Sequence, residues 1–172
     1  MTEAKGPISI PVEELNRLRD GWALAIGRFL VAFTSCEYWT YLYIKTFGSE
    51  RMHEAASSLN IKPRADIARA LVFDLALTDA MHDQVDAAFR KLAELSTQRN
   101  LIAHNGPMVH VYRDDDTGKL EVRHELRSAR DPARGITIAE LEGLYTEANE
   151  LDQELALLYG LVRQPENRRR KG

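Results

Sequence analysis

The chain has 172 residues, 44% of them apolar and 28% charged, which suits one domain with a substantial core. Its net charge of −3, from 26 acids against 23 bases, excludes a protein that binds polyanions over its whole surface. The lone Cys36 excludes a disulfide framework and a cysteine-built zinc site, and fits a reducing compartment. The first residues, Met1 to Pro7, lack the basic-then-apolar order of a secretion signal. The most apolar stretch, Trp22 to Phe33, is interrupted by Arg28 and falls short of the roughly 18–20 residues that cross a bilayer. The expectation is a cytoplasmic protein without membrane contact, one helical domain over 1–172.

No proline falls within 12–62, 64–106 or 133–164, so three long helical regions are predicted. The first runs from about Val12 to Phe47. Leu15, Trp22, Phe29, Cys36 and Tyr43 recur every seven residues with Leu18, Ala25, Ala32 and Trp39 between them, an apolar stripe. Gly21 and Gly27 are places where this helix could bend. A short helix is expected near Ser49–Ser58. Pro63–Leu77 follows, with Ile67, Ala70, Leu71 and Leu75 as its predicted buried side.

Ala80 to about His104 forms the next helix, started by Thr78 or Asp79 and stopped by Asn105-Gly106-Pro107, read as a left-handed cap followed by proline. The period then changes from helical to two: Met108–Tyr112 and Leu120–Leu126, joined by the turn-rich 114–119, read as a β-hairpin at 108–126. Its run of aspartates lacks the glycine and distal glutamate of a calcium loop and reads as a solvated turn. The last helix opens with the capping box Thr137…Glu140. It carries Leu141, Leu144, Ala148, Leu151, Leu155, Leu158 and Val162 as a heptad stripe. That stripe serves either a bundle core or a seam with another chain. The fold class is all-α, a four- to five-helix bundle with long first and last helices and an inserted hairpin.

Two residues break the stripes. In the series 85, 92, 99 the third position holds Arg99 where the core expects an apolar side chain. In the first helix Glu37 interrupts the run between Phe33 and Trp39. An unpaired buried charge costs several kcal/mol, so the two are predicted to pair, at minimum as a structural ion pair that fixes helix register. Asn100 and His104 lie four apart on one helical face, close to Arg99. Arginine is a fixed-charge phosphate clamp, histidine moves protons near neutral pH, and asparagine orients either. The five histidines show no i, i+4 pairing and no metal constellation, so neither metal nor other cofactor is expected.

The run Arg99-Asn100-Leu101-Ile102-Ala103-His104 resembles the R-N-x-x-x-H signature of HEPN domains, the higher eukaryote and prokaryote nucleotide-binding fold. The setting is similar too: a helical bundle whose long first helix bears the polar Glu37, with the motif late in a later helix. The resemblance covers about Val12–His104 and the last helix; the hairpin is outside it. It implies a homodimeric, metal-independent endoribonuclease of toxin–antitoxin, antiviral or RNA-processing settings, with RNA as substrate and an antitoxin as a possible protein partner. His104 would be general base or acid at the ribose 2′-hydroxyl, leaving a 2′,3′-cyclic phosphate. Arg99 would stabilise the phosphorane, Asn100 would orient Arg99, His104 or the phosphate, and Glu37 would support the set. A subgroup of the family has a tyrosine two residues after the histidine that a partner enzyme modifies; here that residue is Gly106. Other members of the family are non-catalytic modules that bind nucleotide, RNA or protein, and this is the alternative.

Two further basic groups are candidate RNA contacts. Lys62 and Arg64 flank Pro63 at a helix start, where they line a phosphate cleft or are ordinary surface charges. Arg163, Arg168, Arg169, Arg170 and Lys171 against Glu166 give a local surplus of four positive charges, leaving the body near −7. This tail, 164–172, is expected to be disordered, and Arg168–Arg170 either steer RNA or only solubilise the chain. With an acidic body, RNA binding should be weak and salt-sensitive.

Overall fold

The computed structural model describes residues 2–3, 11–131 and 133–164. The chain is mostly helical, with a small antiparallel sheet. Helix α1 spans Val12–Phe47, α2 Glu50–Ser57, α3 Ile61–Phe73, α4 Asp79–His104 and α5 Ile138–Val162. Strand β1 is Thr2–Glu3, β2 Pro107–Arg113, β3 Leu120–Arg127 and β4 Gly135–Thr137.

At 36 residues α1 is about 54 Å long and unbroken, so Gly21 and Gly27 do not interrupt it. Trp22, Ala25, Phe29, Ala32, Phe33, Cys36, Tyr43 and Ile44 are buried, while Leu15 and Leu18 near its start are half-buried. Its main partner is α5, which runs parallel to it. The Cys36 thiol donates to the Ala148 carbonyl at 3.0 Å, Trp39 Nε1 to Asp152 at 2.7 Å, and the Tyr43 hydroxyl to the Leu155 carbonyl at 3.2 Å. Leu141, Ala148, Leu151, Leu155, Leu158 and Val162 all enter the chain's own core, Leu144 partly. The heptad stripe is therefore spent inside the bundle, which removes it as a seam for another chain. The capping box forms in full: Thr137 Oγ1 accepts from the Glu140 N–H, and the Glu140 carboxylate accepts from the Thr137 N–H at 2.7 Å. That bond to the charged form holds the Glu140 pKa below its ordinary value.

Cys36 is fully buried, and desolvation together with the nearby Asp152 charge pushes its thiol pKa up to about 12. A thiol reagent at pH 8 is expected to leave the folded protein unlabelled over an hour and to consume one equivalent at once in denaturant. Fast labelling of folded protein would mean that α1 and α5 separate easily.

Helix α4 packs antiparallel to α1, with the Phe89 ring edge-on to Tyr43 at 5.2 Å between centroids. Its predicted stripe, Met81, Val85, Ala88, Leu92, Leu95 and Ile102, is buried throughout. Thr78 is the N-cap, accepting from the Met81 N–H. In α3 the buried side differs from the expectation. Ala65, Ala68 and Val72 are buried, together with Arg64, while Ile67, Leu71 and Leu75 are half-buried and Ala70 is exposed.

The hairpin forms one residue longer at each end than predicted, with Val111 opposite Val122. Its turn is built by Asp114, whose carboxylate accepts from the Thr117 N–H at 2.7 Å and hydroxyl at 2.8 Å, with Gly118 at a φ of 67°. Strands β1 and β4 extend it to a sheet ordered β1-β2-β3-β4. They have two and three residues, too few to show a period in the sequence. Leu126 and Ile136, paired across β3 and β4, are buried and anchor the sheet to the helical core.

Candidate functional site at the end of helix α4

The last turns of α4 bury Leu101 and Ile102, which turns Asn100 and His104 outward and leaves Arg99 half-buried at the margin. Arg99 Nη1 donates to Asn100 Oδ1 at 3.2 Å. All three line a cleft of about 1030 Å³. Its other walls are Phe33 and Glu37 of α1, the first turn of α3 with Lys62, and the loop between β3 and β4 with Arg130 and Arg134. Of the predicted site residues, the fold thus brings together Arg99, Asn100, His104, Glu37 and Lys62.

The predicted Glu37–Arg99 pair does not form. Glu37 instead accepts from Arg64 Nη2. Arg64 is 2% exposed, so it cannot contact RNA as the sequence allowed. Its guanidinium makes four hydrogen bonds, the one to Glu37 among them. Nε donates to Thr40 Oγ1 at 3.0 Å, Nη1 to the Tyr41 hydroxyl and to the Leu59 carbonyl at 3.1 Å, and the group stacks 3.9 Å above the Tyr41 ring. Arg64 wins because it lies on the α3 face against α1, directly behind Glu37, Thr40 and Tyr41. Arg99 sits half-buried at a rim, where it donates to Asn100. A signal for this was present: Glu37, Thr40 and Tyr41 are spaced i, i+3, i+4, one polar patch on a helix otherwise apolar on that side.

With Glu37 neutralised by Arg64, the cleft is left with Lys62, Arg99, Arg130 and Arg134. None of the four makes an ion pair among the described residues. The start of α3 adds to this field. Its N-cap, Asn60, makes no side-chain cap, Pro63 has no N–H and that of Arg64 donates to the Asn60 carbonyl, so what this end contributes is the positive end of the helix dipole.

Asn105 has a role that the sequence did not reveal. The predicted left-handed cap is absent: Asn105 is extended, with φ −134° and ψ 142°, and the chain passes straight into β2. Its side chain caps the helix instead. Nδ2 donates to the Leu101 carbonyl at 2.7 Å, and Oδ1 accepts from the Ala129 N–H at 2.9 Å. One amide thus ties the turn carrying His104 to the loop carrying Arg130. Arg130 and Arg134 were missed because they are loop residues about 30 positions from the motif, with no periodicity to mark them. Arg168, Arg169 and Arg170 lie outside the described residues.

Among the described residues, no three or more His, Cys, Asp or Glu side chains come together as a metal site, and no helix is long and apolar enough to cross a membrane. Comparison with protein-family models, curated proteins and solved structures returns no match. The chemistry available to the cleft is that of a titratable imidazole beside a fixed cation and an amide, in an open and positively charged setting.

Proposed function

We propose that the protein is a metal-independent endoribonuclease of the HEPN type, acting as a toxin or antiviral effector. The observation that carries this reading is the gathering of a half-buried Arg99 with the exposed Asn100 and His104 on one cationic cleft at a helix end. A motif kept only for structure would face the core, as Arg64 does. RNA supplies its own nucleophile. The 2′-hydroxyl gives its proton to His104, its oxygen attacks the adjacent phosphorus, and the P–O5′ bond breaks. The leaving 5′-oxygen takes a proton back from an imidazolium, and the products are a 2′,3′-cyclic phosphate and a 5′-hydroxyl. Arg99 balances the extra negative charge of the phosphorane, and Asn100, hydrogen-bonded to it, fixes its direction. Glu37 supports the set indirectly, by holding Arg64 and with it the junction of α1 and α3.

The working form in this reading is a homodimer with two such motifs facing each other, free in the cytoplasm and held in check by a partner protein. A dimer seam on Leu144, Leu151 and Leu158 is excluded from it, because Leu151 and Leu158 are core residues. The test is RNA cleavage in EDTA by the purified protein, with the His104→Ala variant beside it. Equal cleavage by both proteins, or none by either, sinks the assignment.

A further inference from the structure

We propose that the loop between β3 and β4 is a second phosphate-binding wall, on which Arg130 and Arg134 hold the backbone of a single RNA strand beside the bond presented to His104. This rests on the endoribonuclease reading, and it adds residues that lie outside the motif and outside the helical resemblance.

The loop is a built structure. The Ser128 N–H donates to the Arg134 carbonyl and the Arg134 N–H to the Asp131 carbonyl, both at 2.9 Å, which ties Arg134 to both Ser128 and Asp131. The Ser128 hydroxyl accepts from the N–H groups of Arg130 and Asp131, each at 3.2 Å. The carboxylate of Asp131 is occupied within the loop by the Ala133 N–H at 3.2 Å and pairs with neither arginine. Asn105 pins the loop to α4 through Ala129. Arg130 and Arg134 are both exposed on this frame and both line the cleft.

The distribution of charge points to a strand. Small-molecule sites run to about 300–1,000 Å³, are largely apolar and use a few convergent polar groups. This cleft is at the upper limit of that size, and its cations come from three separate elements: Lys62 from α3, Arg99 from α4, and Arg130 and Arg134 from the loop. Successive phosphates of one backbone match such spaced cations; a lone anion would satisfy only some of them. Apart from the His104 imidazole, the one aromatic ring lining the cleft is Phe33, which is 1% exposed, so the cleft holds no Phe, Tyr or Trp platform for a base to stack on. Binding through this wall therefore reads phosphate, tolerates sequence and falls with salt. The acidic body agrees with this: affinity has to come from a local group of cations.

The experiment is fluorescence anisotropy with a fluorescein-labelled, 12-nucleotide single-stranded RNA, in a His104→Ala background that leaves the strand intact. Each phosphate contact to a single strand contributes a slope of about −0.7 in log K against log salt, hence a factor of about 5 at 0.1 M. Arg130→Ala with Arg134→Ala should weaken binding about 25-fold at 0.1 M salt and flatten the slope by about 1.4. Arg90→Ala, an exposed arginine of α4 outside the cleft, should leave both unchanged. Unchanged affinity in the double variant overturns the proposal and would return the two arginines to docking an acidic protein. Absence of RNA binding by the His104→Ala parent overturns it as well, and tighter binding of a 12-base-pair duplex overturns the single-strand assignment. Cleavage by the otherwise wild-type protein separates the two readings. Cleavage that ignores the two arginines removes the phosphate wall alone. Arginine-dependent binding without any cleavage removes the ribonuclease alone.

Discussion

Arg64→Ala is expected to destabilise the fold by about 3 kcal/mol, the lower part of the range for breaking a buried ion pair by removing one partner. The substitution strands the Leu59 carbonyl, leaves Thr40 and Tyr41 without the donor they share, and removes the cation stacked on Tyr41. It also leaves the Glu37 carboxylate without a counter-ion. That side chain is 27% exposed and can recover some water, which is why the loss should stay at the low end. For a chain of this length the change should lower the melting temperature by roughly 6–12 °C. Arg64→Lys should recover only part of it, because an ammonium cannot reproduce a fork aimed at four acceptors. A double-mutant cycle reads the pairing directly. Glu37 and Arg64 should couple by more than about 1 kcal/mol, whereas Glu37 and Arg99 should be additive within roughly 0.5 kcal/mol. Coupling to Arg99 of the same size would restore the pair that the sequence suggested.

For His104→Ala the expected result is a fall in RNA cleavage of about 10²–10⁴-fold, the usual contribution of one general acid–base group, with the fold intact. His104 is exposed and makes no hydrogen bond among the described residues, so stability should change by less than about 1 kcal/mol, within the range of a lost helix-dipole contact. Arg99→Ala should cost about 10²–10³-fold, as for loss of one group that stabilises transition-state charge. EDTA should leave the wild-type rate untouched. The control matters because Arg64→Ala is also expected to lower activity, through the fold. A loss in His104→Ala at unchanged melting temperature is chemical, and a loss that follows the melting temperature is structural. Wild-type cleavage abolished by EDTA, or retained in full by His104→Ala, would end the present mechanism.

Much of the helical framework was legible because its information is local. The stripe of α4 and the limits of α1 follow from apolar spacing and proline placement, and both appear in the structure with almost no change. The α3 face was misjudged for a physical reason. Periodicity marks the large apolar residues Ile67, Leu71 and Leu75, but the face that holds Arg64 against Glu37, Thr40 and Tyr41 carries Ala65, Ala68 and Val72 inward. The cap at Asn105 failed similarly. Its residue types allow a left-handed turn, but the sheet draws the chain out extended, and the amide has a carbonyl and a distant N–H to bridge.

The sequence by itself determined that this is a helical protein with an inserted hairpin, and it marked Arg99 and Glu37 as out of pattern, with Asn100 and His104 beside Arg99. Those conclusions rest on periods of 3.6 and 2 and on the cost of burying charge, and both are written in short windows of sequence. Tertiary structure alone decided which charge neutralises Glu37, because Arg64 and Arg99 are equally able partners until α3 is laid against α1. It also decided that the α5 stripe is internal and that Arg130 and Arg134 share a cleft with His104. Each of these is a contact between segments far apart in the chain, set by how the helices and sheet pack.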